Sequence, residues 1–98
     1  MEKEIVFVKT NPNIICRQEE DGAFLFNVED GSIKVLNFLG YRIWKLCNGN
    51  FTLEDIINNI KSEYPNVSEE VIEKDVKDFI DYLRKISLVE LKYEKNKR

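Results

Sequence analysis

Ninety-eight residues with a net charge of −3, 43% hydrophobic and 34% charged, are enough for one domain over 1–98 with a single modest core, and they exclude a disordered tail. No apolar run approaches the ~18 residues of a membrane span, and the amino terminus "MEKEIVFVKTNPN" lacks the pattern of a secretory signal, so a cytoplasmic protein is expected. The chain has no histidine, and Cys16 and Cys47 stand far apart in apolar surroundings; buried thiols are expected, with no metal site, redox pair or cofactor.

The segment "EIVFVK", residues 4–9, can form a first strand. Two Asp-Gly pairs, Asp21-Gly22 and Asp30-Gly31, then follow between strand-like segments. Asp-Gly tolerates the positive φ of a tight hairpin turn, so its repetition predicts a three-stranded antiparallel meander over about 13–19, 23–28 and 32–36. In the second of these strands Phe24, Phe26 and Val28 share one face and Ala23, Leu25 and Asn27 the other; in the third, Ile33 and Val35 oppose Ser32, Lys34 and Leu36.

Asn37 changes the period. It is a good N-cap, and Leu39, Ile43, Leu46 and Cys47 make one stripe of a helix over about 38–48 that Asn48-Gly49 can close. Thr52, with Asp55 in capping-box position, opens a second helix whose buried face carries Leu53, Ile56, Ile57, Ile60 and Tyr64, and Pro65 ends it. Ser68 is expected to cap the third and longest helix. Its apolar arc of Val71, Ile72, Val76, Phe79, Ile80, Leu83 and Ile86 is wider than one packing seam needs, which predicts two packing partners. Helical spacing puts Val71, Asp75, Asp78 and Tyr82 together on one flank, with Glu73, Lys77, Asp81 and Arg84 largely opposite in solvent. The segment "LVELKYE", 88–94, can form a last strand that either pairs with 4–9 or shields an open sheet edge.

Catalysis has little to work with. No pair of carboxylates stands out from ordinary surface charge, no histidine is present to activate a serine, and none of the four glycines belongs to a phosphate-binding pattern. A meander followed by three helices is the outline of an α+β winged helix-turn-helix, a shape that often reads DNA. A DNA-reading third helix should present basic and amide side chains, yet Glu69, Glu70, Glu73, Asp75, Asp78 and Asp81 outweigh Lys74, Lys77, Arg84 and Lys85 here. Nucleic-acid binding stays as the alternative, and it would need a basic face made by Lys92, Lys95, Lys97 and Arg98.

The remaining feature is the third meander strand. Unless the chain returns to cover it, one edge offers unpaired backbone groups to an extended peptide. With the third helix beside that edge, a groove forms with backbone on one wall and Val76, Phe79 and Tyr82 on the other. By pattern alone, Ile33, Val35 and Phe79 also fit as plain core. A proline at Lys34, by removing one strand donor, is expected to weaken an added peptide strand far more than alanine there.

The ordered set Asp30-Gly31, Leu36-Asn37, Gly40, Ile43-Trp44, Leu46, Asn48-Gly49, "LEDII" and "DVKDFIDYLRKISLV" resembles the PqqD family over about residues 6–89. The chain departs from the family at Ile86-Ser87, where a small residue and glycine are usual, at Ile80, where leucine is common, and in "ELKYEKNKR", which extends as a charged tail past the usual end. The resemblance implies a RiPP recognition element. Such a domain catalyses nothing itself; it binds the leader segment of a ribosomally made precursor peptide as an added strand and presents it to a modifying enzyme, often a radical SAM maturase. Carried over by position, Ser32, Ile33, Lys34, Val35 and Leu36 would pair with the leader, and Asp75 matches the family's Asp-Val aspartate. The helical wheel adds Asp78 and Tyr82 to the groove wall of Val76 and Phe79. A leader strand of about five residues with one or two apolar anchors corresponds to micromolar affinity, on the order of −8 kcal/mol. A homodimer through 4–9 and 88–94 is a further possible assembly.

Overall fold

The computed structural model describes residues 3–96, with the side chains of residues 5–94. In chain order the elements are β1 (Lys3–Thr10), β2 (Ile14–Glu19), β3 (Gly22–Asn27), β4 (Ile33–Asn37), α1 (Phe38–Leu46), β5 (Asn48–Thr52), α2 (Leu53–Glu63), α3 (Glu69–Lys85) and β6 (Val89–Asn96). They form an α+β fold with two three-stranded antiparallel sheets, ordered β5-β1-β6 and β2-β3-β4.

The meander is β2-β3-β4, close to its expected bounds. Period-two alternation sends Ala23, Leu25 and Leu36 into the core and Phe24, Phe26, Ile33 and Val35 out to solvent. The reading of Ile33 and Val35 as core is therefore corrected: Leu25 and Leu36, on the opposite face, are the residues that pack into the cluster with the helices. Ser32 also lies outside β4, in the turn before it, where its N–H donates to Asp30 Oδ1 at 2.8 Å. Hydrogen bonding from Ser32, by its side chain first and by this N–H second, holds the Asp30 carboxyl below its usual range.

The two Asp-Gly pairs do different jobs. Gly31 has φ +75°, as a tight turn between β3 and β4 requires. Gly22 has no positive φ. It is the first residue of β3, opposite Asn37, and a Cβ built on it would lie 1.9 Å from the Leu36 carbonyl oxygen. Here glycine is needed for close approach of two backbones, a separate reason from the turn freedom expected of it.

Helix α1 starts at Asn37, whose Oδ1 accepts the Gly40 N–H at 2.8 Å. It ends at Leu46, earlier than expected, because Asn48-Gly49 opens β5, a strand the sequence did not announce. Thr52 and Asp55 form the expected capping box of α2. Ser68 precedes α3 but makes no side-chain capping bond; Glu69 and Glu70 stay in the first turn, where they favour the helix dipole.

The carboxy end of α3 explains a departure from the family pattern. The Leu88 N–H donates to the Leu83 carbonyl at 2.8 Å and the Ser87 N–H to Arg84 at 3.0 Å, the paired bonds of a Schellman motif, with Ser87 at φ +64°. Serine there holds a left-handed conformation that glycine adopts freely. Ser87→Gly should therefore raise stability by about 1 kcal/mol, which for a domain of this size is a rise of roughly 4–8 °C in a thermal melt.

The terminal segments pair with each other in unbroken register from Lys3↔Asn96 to Thr10↔Val89, and β5 flanks β1 on its other side. Residues 90–96 of the expected charged tail are thus part of β6, while Lys97 and Arg98 lie outside the described residues. One buried cluster, including Val8, Leu25, Leu36, Trp44, Ile56, Val76, Leu83 and Val89, joins both sheets to all three helices. Helix α3 serves both neighbours its wide arc predicted: it packs on α2 and on β6.

Candidate peptide-binding groove

With β1 and β6 committed to the other sheet, the outer edge of β4 pairs with no strand among the described residues. Which backbone groups it offers follows from the hydrogen-bond phase. The Asn27 N–H donates to Ser32 C=O at 2.9 Å, so that pair is bonded. Antiparallel ladders alternate bonded and non-bonded pairs, which makes Leu25·Lys34 and Ala23·Leu36 the next bonded ones. The N–H and C=O of Lys34 and Leu36 therefore point at β3, and those of Ile33 and Val35 point out of the sheet. This corrects the expectation placed on Lys34: a proline there would remove a bond inside the meander, and Val35 is the position whose N–H an added strand would meet.

Beside this edge lies a groove of about 460 Å³. Val35, Leu36 and Asn37 of β4 form one wall; Ile72, Asp75, Val76 and Phe79 of α3 form the other; Leu39, Gly40 and Ile43 of α1 and Ile60, Tyr64 and Val67 around the end of α2 complete it. Gly40 lets α1 lie against α3, since a Cβ there would meet the Phe79 ring at 3.3 Å and Asn37 Oδ1 at 3.2 Å. The lining is mostly aliphatic and aromatic, with Asp75 its carboxylate.

Five of the ten expected site residues, Val35, Leu36, Asp75, Val76 and Phe79, are brought together in this groove. Ile33 and Lys34 belong to the same strand but lie outside the lining, as does Ser32 in the turn. Asp78 is an exposed ion-pair partner of Lys74 at 2.7 Å, and Tyr82 is half exposed; neither lines the groove. Sequence reasoning missed the α1 wall. Its signal was Gly40, the one glycine of the four inside a helix, in a helix read only for its apolar stripe.

Neither cysteine is paired. Burial pushes the Cys47 thiol up to about 12, and its Sγ–H donates to the Ile43 carbonyl at 3.3 Å; Cys16 is also raised by partial burial. Among the described residues no three His, Cys, Asp or Glu side chains gather as a metal site, and no helix is long and apolar enough to cross a membrane.

The family model for coenzyme PQQ synthesis protein D matches residues 22–89, from the start of β3 to the start of β6. The chain belongs to the PqqD family. No curated protein matches it significantly. Among solved structures, this PqqD-family chain is similar to TbiB1 in complex with the TbiA(beta) leader peptide, with 28% identity and a TM-score of 0.75 over 84% of this chain and 94% of that one. It shares its fold with lasso peptide synthetase B1 complexed with the leader peptide, at 20% identity and a TM-score of 0.74, covering 85% of this chain and 96% of that one. It also shares its fold with part of the heterocyclase TruD, at 18% identity and a TM-score of 0.62, where 89% of this chain corresponds to 12% of that larger one.

Proposed function

We propose that this protein binds the leader segment of a ribosomally synthesised precursor peptide as a strand added to β4, and presents it to a modifying enzyme. The observation that carries this reading is the open edge of β4, with the backbone groups of Ile33 and Val35 facing outward beside the apolar groove. Its similarity to TbiB1, solved with a leader peptide, supports the same use. Backbone pairing supplies affinity, and side chains entering the groove against Leu36, Val76 and Phe79 supply selection. The chain itself performs no chemistry in this reading. Its enzyme partner is a radical SAM maturase, and both act in the cytoplasm, where Cys16 and Cys47 stay reduced. Ser32, Lys34, Asp78 and Tyr82 belong to the rim, where they orient a longer leader.

Asp75 adds orientation more than affinity. It is exposed at the groove, so an ion pair with a Lys or Arg of the leader is worth about two- to five-fold in binding at low salt. Asp75→Asn should lose that increment for a leader carrying such a residue, and the loss should vanish near 1 M salt in an affinity titration.

The nucleic-acid alternative gains nothing from α3, where Lys74 pairs with Asp78, Lys77 with Glu73, and Arg84 and Lys85 with Asp81; of the basic face it needs, Lys92 lies on β6, and the side chains of Lys95, Lys97 and Arg98 lie outside the described residues. Of the two segments expected for a homodimer, 4–9 is central in its sheet, between β5 and β6, so only the outer edge of β6 is free to pair among the described strands of those segments.

The test is a fluorescence anisotropy titration against the leader half of a short precursor encoded beside this chain, with a DNA duplex in parallel. Saturable micromolar binding to the peptide is expected. Binding to DNA alone, with a steep salt dependence, would overturn the reading.

A further inference from the structure

The meander's outer face is unusual for an antiparallel sheet packed on one side only, where outward positions are normally polar. Two cross-strand rows run across it, Ile15–Phe26–Ile33 and Arg17–Phe24–Val35. Five of these six residues are apolar and exposed: 40% at Phe24 and Phe26 on the central strand, 57% at Ile15 on β2, and 60% at Ile33 and 71% at Val35 on β4. Single exposed apolar side chains are ordinary; a contiguous set marks an interaction surface. The only charge in the two rows, Arg17, sits on the far strand and pairs with Glu19 at 3.1 Å.

A strand added to β4 would lie about 4.8 Å away, with its outward side chains roughly 5 Å from those of Ile33 and Val35. It would extend both rows by one residue each. Its inward side chains would meet the apolar groove instead. Such a strand has apolar surroundings on both faces, like a strand inside a sheet covered on both sides, whose sequence is a continuous apolar run.

Resting on the strand-addition reading above, we infer that the recognised segment is a run of four or five consecutive apolar residues, and that Ile33, Val35 and the Phe24–Phe26 pair behind them form a second subsite for its outward side chains. An alternating apolar-polar segment would fill only the groove. Ile33 and Val35 thus contribute both backbone and side chain, whereas Leu36 contributes through the groove alone.

Selection from a displayed library of random 12-residue peptides tests this, because it assumes no leader sequence. Peptides with an unbroken apolar run are expected. For one of them, Ile33→Thr should weaken binding about ten-fold, and the same substitution should have less than a two-fold effect on a peptide whose outward residues are changed to serine. Enrichment of strictly alternating peptides, or equal effects of Ile33→Thr on both peptides, would overturn the second subsite while leaving strand addition standing. No enrichment, or enrichment unaffected by Val35→Pro, would sink strand addition and the subsite together. Self-association abolished by Phe24→Ser would show a second copy on this face and overturn the subsite.

Discussion

Val35→Pro should abolish most leader binding while leaving the fold in place. Val35 lies on the edge strand with its N–H turned away from β3, so proline there removes no bond of the meander. It removes the donor an added strand needs and puts a ring in that strand's path. One lost hydrogen bond is worth about 0.5–1.5 kcal/mol, and the displaced strand loses its neighbouring contacts too, so affinity should fall at least ten-fold. Val35→Ala keeps the donor and should lose clearly less. Lys34→Pro is the contrasting control: its N–H belongs to the pair with Leu25, so it should lower the melting temperature itself. Anisotropy titrations and thermal melts on the three variants separate these effects. A Val35→Pro protein that binds as well as Val35→Ala would mean the leader does not pair at β4.

Gly22→Ala should be the most destabilising of the four glycine-to-alanine changes. The added Cβ would stand 1.9 Å from Leu36 O and 2.8 Å from the Asn37 carbonyl carbon, both backbone atoms that cannot rotate away. To accept it, β4 must leave β3 at the end that feeds α1, where Asn37 also caps the helix. A loss on the order of 3 kcal/mol follows, a fall of more than about 10 °C in melting temperature. Gly31→Ala is the fair comparison, since Gly31 has φ +75° but nothing within 4 Å of a new Cβ; it should cost about 1 kcal/mol. Equal melts for the two variants would show that the β3–β4 approach relaxes easily. Because β4 carries the open edge, Gly22→Ala should also weaken leader binding.

Much of this arrangement is legible in the residues. Alternation between Gly31 and Asn37 and the change of period at Asn37 mark β4 and α1, and the Thr52–Asp55 pair marks α2, because caps and periodicity are local properties. Long-range pairing is less visible. Nothing in "NGNFT" distinguishes a strand from a helix-terminating loop, and β5 exists because β1 lies beside it. The destination of the terminal segments was open for the same reason. The two faces of the meander were also ambiguous: Ala23, Leu25 and Leu36 on one side and Phe24, Phe26, Ile33 and Val35 on the other are both apolar, and only packing against the helices decides which is inside. Hydrogen-bond phase is a third hidden property. Side-chain alternation is written in the residue types, but whether Lys34 or Val35 faces the open edge depends on how the turn through Asn27 and Ser32 closes. The open edge of the third meander strand beside the third helix located the groove, and the family resemblance supplied its use; the α1 wall came from the structure.

The most direct measurement is amide hydrogen exchange of β4 with and without the leader peptide. In the free protein the Ile33 and Val35 amides face outward and should exchange fast, while those of Lys34 and Leu36, bonded to β3, should be protected. Saturating leader should protect Ile33 and Val35 and leave the other two as they were. Leader binding that leaves Ile33 and Val35 exchanging at their free rates would contradict strand addition at β4.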